Sequence, residues 1–184
     1  MIDAVQGGMP VTPTKTSWAR APRGRVLAAV LAAACAAVAP ARAAVEIEGV
    51  EFASRVDAGD VELELNCVGL LRYMRFLKGY VAALYVDRDV AAADPLGDVP
   101  KRLEISYFWD IDGDDIGAAG EDLVARNVDA ATLERIRPQL ERIRGLYEDV
   151  RPGDRYALTY VPGRGTELAL NGEVKGVVEG AEFA

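Results

Sequence analysis

Apolar and polar residues alternate strictly in Val61-Glu-Leu-Glu-Leu65, which puts Val61, Leu63 and Leu65 on one face and Glu62 and Glu64 on the other. A period of two is the mark of a strand with one buried side. Asn66 to Gly69 interrupts the pattern. Leu70 to Val86 follows, rich in Leu, Tyr, Phe and Val, as two strands or one long bent one. Lys101 to Trp109 alternates again, with Leu103, Ile105, Tyr107 and Trp109 together and Phe108 opposite, so a central strand covered on both sides is predicted. The end of the chain is all strand: Arg155 to Val161, Thr166 to Leu170 and Glu173 to Val178. Pro162-Gly-Arg-Gly165 joins the first pair as a turn. Asn171-Gly172 joins the second pair, and Asn-Gly between alternating runs is a strong hairpin signal.

Between the strands the period changes to that of a helix. Asp112 to Asp115 supplies capping and first-turn acids for a helix reaching about Asn127, with Ile116, Leu123 and Val124 as its buried stripe. Gly117 and Gly120 weaken that helix unless it lies close on a sheet. Asp129 caps a second helix, in which Leu133, Ile136, Leu140, Ile143, Tyr147 and Val150 recur every three or four residues. Pro138 removes one backbone donor there, so a kink or a break is expected. Strands, then helices, then a strand meander define an α+β layer: helices on one face of an antiparallel sheet, in one domain over residues 44–184.

The first 43 residues read differently. A 13-residue apolar run, Val26 to Val38, follows Arg20, Arg23 and Arg25 and ends in Ala41-Arg42-Ala43. Those are the parts of a secretory signal peptide, with cleavage expected after Ala43. The run is shorter than the roughly 18 residues a spanning helix needs, so no transmembrane segment is expected in the mature chain. Met9 is an alternative start, and Leu31-Ala-Ala-Ala-Cys35 faintly resembles a lipobox. Export, to the periplasm or beyond, is the expected localisation.

Residues 44–184 carry 16 basic and 28 acidic side chains, a net charge of −12. Such a surface repels phosphate backbones and disfavours nucleic acid as a partner. Cys67 is the one cysteine in that part and is expected as a small buried apolar residue. The chain contains no histidine, which removes the Ser-His-Asp triad, the Cys-His pair and His-ligated metal sites. Asp110, Asp112, Asp114 and Glu121 follow the ligand spacing of a calcium loop. However, Asp115 stands where the loop needs Gly and Gly117 where it needs an aliphatic anchor. Helix capping explains these acids, and no metal or other cofactor is expected. Arg135, Arg137, Arg142 and Arg144 alternate with Glu134, Glu141 and Glu148 as a solvated helix face.

Several segments, taken in order, carry a family resemblance: Leu65-Asn-Cys-Val-Gly-Leu-Leu-Arg72, Tyr80-Val-Ala-Ala-Leu-Tyr-Val86, Lys101-Arg-Leu-Glu-Ile105, Gly153-Asp154, Leu158-Thr-Tyr-Val-Pro-Gly-Arg-Gly-Thr166, Leu170-Asn-Gly172 and Gly180-Ala-Glu-Phe183. Together they resemble the bacterial exported branch of the chalcone-isomerase-like family. The resemblance implies an open-faced β-sandwich, a large antiparallel sheet with a helical layer. Plant enzymes of the family add a phenol oxygen to an enone. Non-catalytic members hold fatty acids, with an Arg and a Tyr gripping the carboxylate. Arg72 is the position that matches that Arg, and Tyr80 lies near the place of its partner. A strand-edge ion pair of Arg72 with Glu62 or Glu64 is the other reading of the same side chain. The stretch Asp114 to Leu123 lacks the Tyr and Asn of the plant enzymes, and the chain is expected to lack the family's C-terminal helix. The resemblance therefore implies a non-catalytic binder of a fatty acid or similar small amphipathic acid. An isomerase acting on an enone and a protein-interaction module are the alternatives.

Overall fold

The apolar alternations become strands of one curled antiparallel sheet in the computed structural model, which describes residues 44–73, 77–88 and 97–184. β1 (Ala44–Ile47) and β2 (Val50–Ala53) form a separate hairpin. β3 (Arg55–Ala58), β4 (Val61–Tyr73), β5 (Leu77–Val86), β6 (Lys101–Tyr107), β7 (Arg155–Val161), β8 (Gly165–Leu170) and β9 (Glu173–Val178) pair in chain order, all antiparallel. α1 (Gly113–Asn127) and α2 (Ala130–Arg144) stand between β6 and β7, and a short 3-10 turn, Ala181–Phe183, follows β9. This is the α+β, helix-on-sheet architecture that the sequence pattern predicts. The expected signal peptide, Met9 and Cys35 lie outside the described residues.

The expected interruption at Asn66 to Gly69 is not a break. β4 continues through it, with a bulge between Leu65 and Cys67. One extra residue exchanges the two faces of a strand. The bulge thus brings Val68 and Leu70 onto the same apolar side as Leu63 and Leu65, and all four belong to one core cluster. That cluster is closed from outside by Phe52 of the β1–β2 hairpin, which is fully buried. The opposite face carries Tyr107, Tyr156, Leu168, Leu170 and Val178, packed against Ile143 of α2. β6 lies fourth of the seven strands and is covered on both sides, as its aromatics predict.

The helices follow their capping signals. Asp129 accepts a hydrogen bond from the Thr132 amide at 2.9 Å and starts α2. Asp112 holds the equivalent place before α1 without such a bond, and the Gly113 amide instead donates to Asp149 Oδ1 at 3.0 Å. Ile136, Leu140 and Ile143 are buried as their spacing predicts. Three expectations are corrected here. Pro138 does not divide α2, which runs unbroken from Ala130 to Arg144. Leu123 is not buried but 61% exposed. Trp109 leaves the stripe of Leu103, Ile105 and Tyr107 because β6 ends at Tyr107. It is 52% exposed and donates from Nε1 to the Lys78 carbonyl at 2.6 Å.

Two short motifs fix the return of the chain to the sheet. Asn171 and Gly172 take φ of 51° and 85°, the left-handed pair that a tight hairpin requires. At Gly117 a Cβ would stand 2.7 Å from Arg144 Cγ, so it is α2, rather than the sheet, that α1 approaches closely there. The Tyr156 hydroxyl accepts from the Glu148 amide at 2.7 Å and donates to the Glu148 carbonyl at 3.0 Å. This ties the segment after α2 to the start of β7.

Leu168 is fully buried in the helix-side core. Leu168→Ala is expected to cost about 2–5 kcal/mol in denaturant unfolding, through lost burial and a residual cavity. Tyr156→Phe keeps the ring and loses two hydrogen bonds to an exposed segment, so about 1 kcal/mol is expected. The same denaturation series checks the order of the two.

Candidate functional site

Register across β6, β7 and β8 arranges the helix-side face of the sheet in rows. Lys101 pairs with Tyr160, which pairs with Thr166. The next row is Leu103, Leu158 and Leu168, and the third is Ile105, Tyr156 and Leu170. One end of this face is polar and the rest is apolar. Above it α1 contributes Leu123, Val124 and Val128, and α2 contributes Ile136, Leu140 and Ile143. Between these side chains and the sheet lies a cavity of about 460 Å³, with Phe183 from the 3-10 turn also in its wall. That size lies within the range of small-molecule sites, which are mostly apolar with a few placed polar groups. Leu123, exposed and yet lining the cavity, stands at its rim.

The polar row has defined partners. Lys101 Nζ sits 5.6 Å from the centroid of the Tyr160 ring and donates to the Gly97 carbonyl at 3.0 Å. The Tyr160 hydroxyl donates to Asp98 Oδ1 at 2.5 Å. That bond to a carboxylate pushes the Tyr160 phenol up to about 12, with burial and the Asp98 charge acting in the same direction. Thr166 is 6% exposed, and its Oγ1 has no hydrogen-bond partner among the described residues. Further along the cavity, burial and the neighbouring Tyr156 push the Tyr147 phenol up to about 12. Both phenols are neutral hydrogen-bonding groups at neutral pH. Glu121 also lines the cavity but is drawn to Arg144 Nη1 at 3.5 Å, and Glu182 lines it from the 3-10 turn.

The two residues singled out by the sequence lie elsewhere. Arg72 donates to Glu48 Oε1 at 3.1 Å, at the turn between β1 and β2, and its side chain is 48% exposed. Lys78 binds the other oxygen of the same carboxylate at 2.5 Å. Lys78, chiefly through its hydrogen bond, holds the Glu48 carboxyl below the usual carboxylate range, with Arg72 adding to the effect. The edge ion pair envisaged for Arg72 thus forms, but with Glu48. Glu62 pairs with Arg55, and Glu64 with Arg55 and Arg88. Tyr80 packs in the helix-side core, edge-on to Tyr107 at 6.1 Å between ring centroids. Neither Arg72 nor Tyr80 lines the cavity.

Lys101, Tyr160 and Thr166 went unmarked in the sequence, although a signal existed. Lys101 has the parity of Leu103 and Ile105, so a charge sits at the end of an apolar stripe. The turn Pro162-Gly-Arg-Gly165 then sets Tyr160 opposite Thr166. Two further expectations resolve simply. Asp114 and Glu121 lie within α1, so the acids from Asp110 onward form no calcium loop. Cys67, expected to be buried, is exposed beside the β4 bulge.

A family model described as chalcone isomerase-like matches residues 44–184. The chain belongs to the chalcone isomerase-like family. Among solved structures it is similar to a fatty-acid binding protein of Arabidopsis thaliana, at 16% sequence identity and a TM-score of 0.62. The match covers 76% of this chain and 84% of that one, and it is a likeness of fold. No curated protein sequence matches the chain.

Because the Tyr160 phenol is raised first by its bond to Asp98, Asp98→Asn is expected to lower it toward the ordinary tyrosine value of about 10. A carbon-13 NMR titration of the tyrosine Cζ resonances reads this. An unchanged titration in the variant would contradict the Tyr160–Asp98 bond.

Proposed function

We propose that this chalcone isomerase-like protein is an exported, non-catalytic binder of a small amphipathic acid of the fatty-acid kind. The acid occupies the cavity between β6–β8 and the two helices. The supporting observation is the amphipathic floor of that cavity: apolar rows from Leu103 and Leu158 to Ile105, closed at one end by Lys101, Tyr160 and Thr166. Burying an alkyl chain against such rows is worth about 0.8 kcal/mol per methylene. Similarity of fold to a fatty-acid binding protein supports the same reading. Neutral phenols at both ends of the cavity suit binding, and no specific observation favours the isomerase.

Export rests on the N-terminal pattern of basic flank, short apolar core and small-residue exit. No helix among the described residues is long and apolar enough to cross a membrane. N-terminal sequencing of the exported protein is expected to begin at Ala44. A species retaining the leader after secretion would contradict export by cleavage.

Calorimetric titration of delipidated protein with decanoic acid tests the binding itself, and micromolar affinity is expected. Leu158→Trp fills the middle of the floor and is expected to abolish the heat of binding while the protein stays folded by circular dichroism. Equal affinity in this variant, or no binding by the unaltered protein, would overturn the proposal.

A further inference from the structure

The polar end of the cavity is built in a way that identifies which groups meet the ligand's head. Three helix-facing residues on adjacent strands stand in one cross-strand row, Lys101, Tyr160 and Thr166. Neighbouring strands are about 4.8 Å apart, so the outer two Cα atoms are separated by roughly twice that distance. The Lys101 side chain spans part of this gap, because its ammonium lies over the Tyr160 ring. Tyr160 itself has spent its proton on Asp98. Thr166 has not: its hydroxyl is buried and, among the described residues, without a partner.

A buried hydroxyl left without a partner costs stability in the empty protein. Valine has nearly the same shape and would avoid that cost. A threonine in this place keeps a hydroxyl ready for an acceptor that a bound molecule can bring. A carboxylate fits: it accepts from a hydroxyl and is attracted by an ammonium, and charge-assisted hydrogen bonds of this kind are the strong ones.

The geometry points to Lys101 and Thr166 as the headgroup anchor for the carboxylate of the bound acid, with Tyr160 as a positioning residue. Tyr160 holds the Lys101 ammonium over its ring, while Asp98 fixes the phenol. Arg72, held by Glu48 at the β1–β2 turn, takes no part. This assignment rests on the binding reading given above and goes further by naming the atoms that select an acid over a neutral amphiphile.

The test compares decanoic acid with decan-1-ol in calorimetric titrations of the full mature chain and its Thr166→Val, Lys101→Met and Arg72→Ala variants. Lys101→Met is expected to lower decanoate affinity by about tenfold or more and to erase the preference for acid over alcohol. Thr166→Val is expected to lower decanoate affinity about fivefold and, in the absence of ligand, to raise the melting temperature by about 2–4 °C. A merely structural role for Thr166 would not give gain of stability together with loss of binding. Arg72→Ala is expected to keep both affinity and preference. Unchanged decanoate affinity in Thr166→Val and Lys101→Met, with binding still abolished by Leu158→Trp, would keep the cavity and overturn the anchor. Loss of the acid preference in Arg72→Ala alone would overturn it as well. No decanoate binding by the unaltered protein would remove the binding reading and the anchor together.

Discussion

The register of β6, β7 and β8 is the constraint on which the site depends. Side chains alternate between the two faces of a sheet, so a slip of one residue in β7 would send Leu158 and Tyr160 to the hairpin side and bring Ala157 and Thr159 under the helices. Several local contacts make that slip costly. Tyr156 is hydrogen-bonded through its hydroxyl to both backbone groups of Glu148. Asn171 Nδ2 donates to Asp154 Oδ1 at 2.9 Å, and Asn171 Oδ1 accepts from the Arg155 amide at 2.9 Å, which pins the β8–β9 turn against the start of β7. These contacts lie at the apolar end of the floor and fix the polar row at the other.

The two faces of the sheet solve different problems. On the hairpin side Glu104 is 5% exposed and carries Arg102 on one oxygen at 3.0 Å and Arg155 on the other at 3.1 Å. The Arg155 guanidinium also stands 4.6 Å from the centroid of the Phe52 ring and donates to the Glu51 carbonyl at 2.9 Å. A buried carboxylate with two guanidinium partners is satisfied rather than strongly stabilising, and losing either partner would leave charge unpaired. It locks the β1–β2 hairpin to the centre of the sheet. The helix side of β6–β8 is built mainly from apolar side chains. Ile143 of α2 and Val150 in the segment after it pack against the sheet at one end, and space is left above Leu103 and Leu158. The protein is closed on one side so that it can be open on the other.

Most of the fold was legible because period-two and period-3.6 patterns act locally. The bounds of β7 to β9, the Asn171-Gly172 turn and the buried stripe Ile136, Leu140 and Ile143 all follow from neighbours a few residues away. What the sequence hid depends on partners far along the chain. The bulge at Leu65 and Cys67 shows only against β5. Pro138 breaks no helix, since tertiary packing of the flanking residues holds α2 together. The site was hidden for the same reason: Lys101 lies 59 positions before Tyr160 and joins the Tyr160–Thr166 hairpin pair only through the β6–β7 register. Arg72 drew attention through its motif, whereas its place is set by Glu48, 24 positions earlier.

In the proposed complex an amphiphile lies along the apolar rows with its head at the polar row. Intermolecular nuclear Overhauser effects between carbon-13-labelled decanoate and the protein's methyl groups measure this directly. Contacts are expected from the alkyl chain to the Leu103, Leu158 and Leu140 methyls, with the C2 methylene next to the carboxylate beside the Thr166 methyl. Contacts confined to Val81, Val56 or Leu63 on the hairpin side, or a C2 methylene with no contact to Thr166, would contradict it.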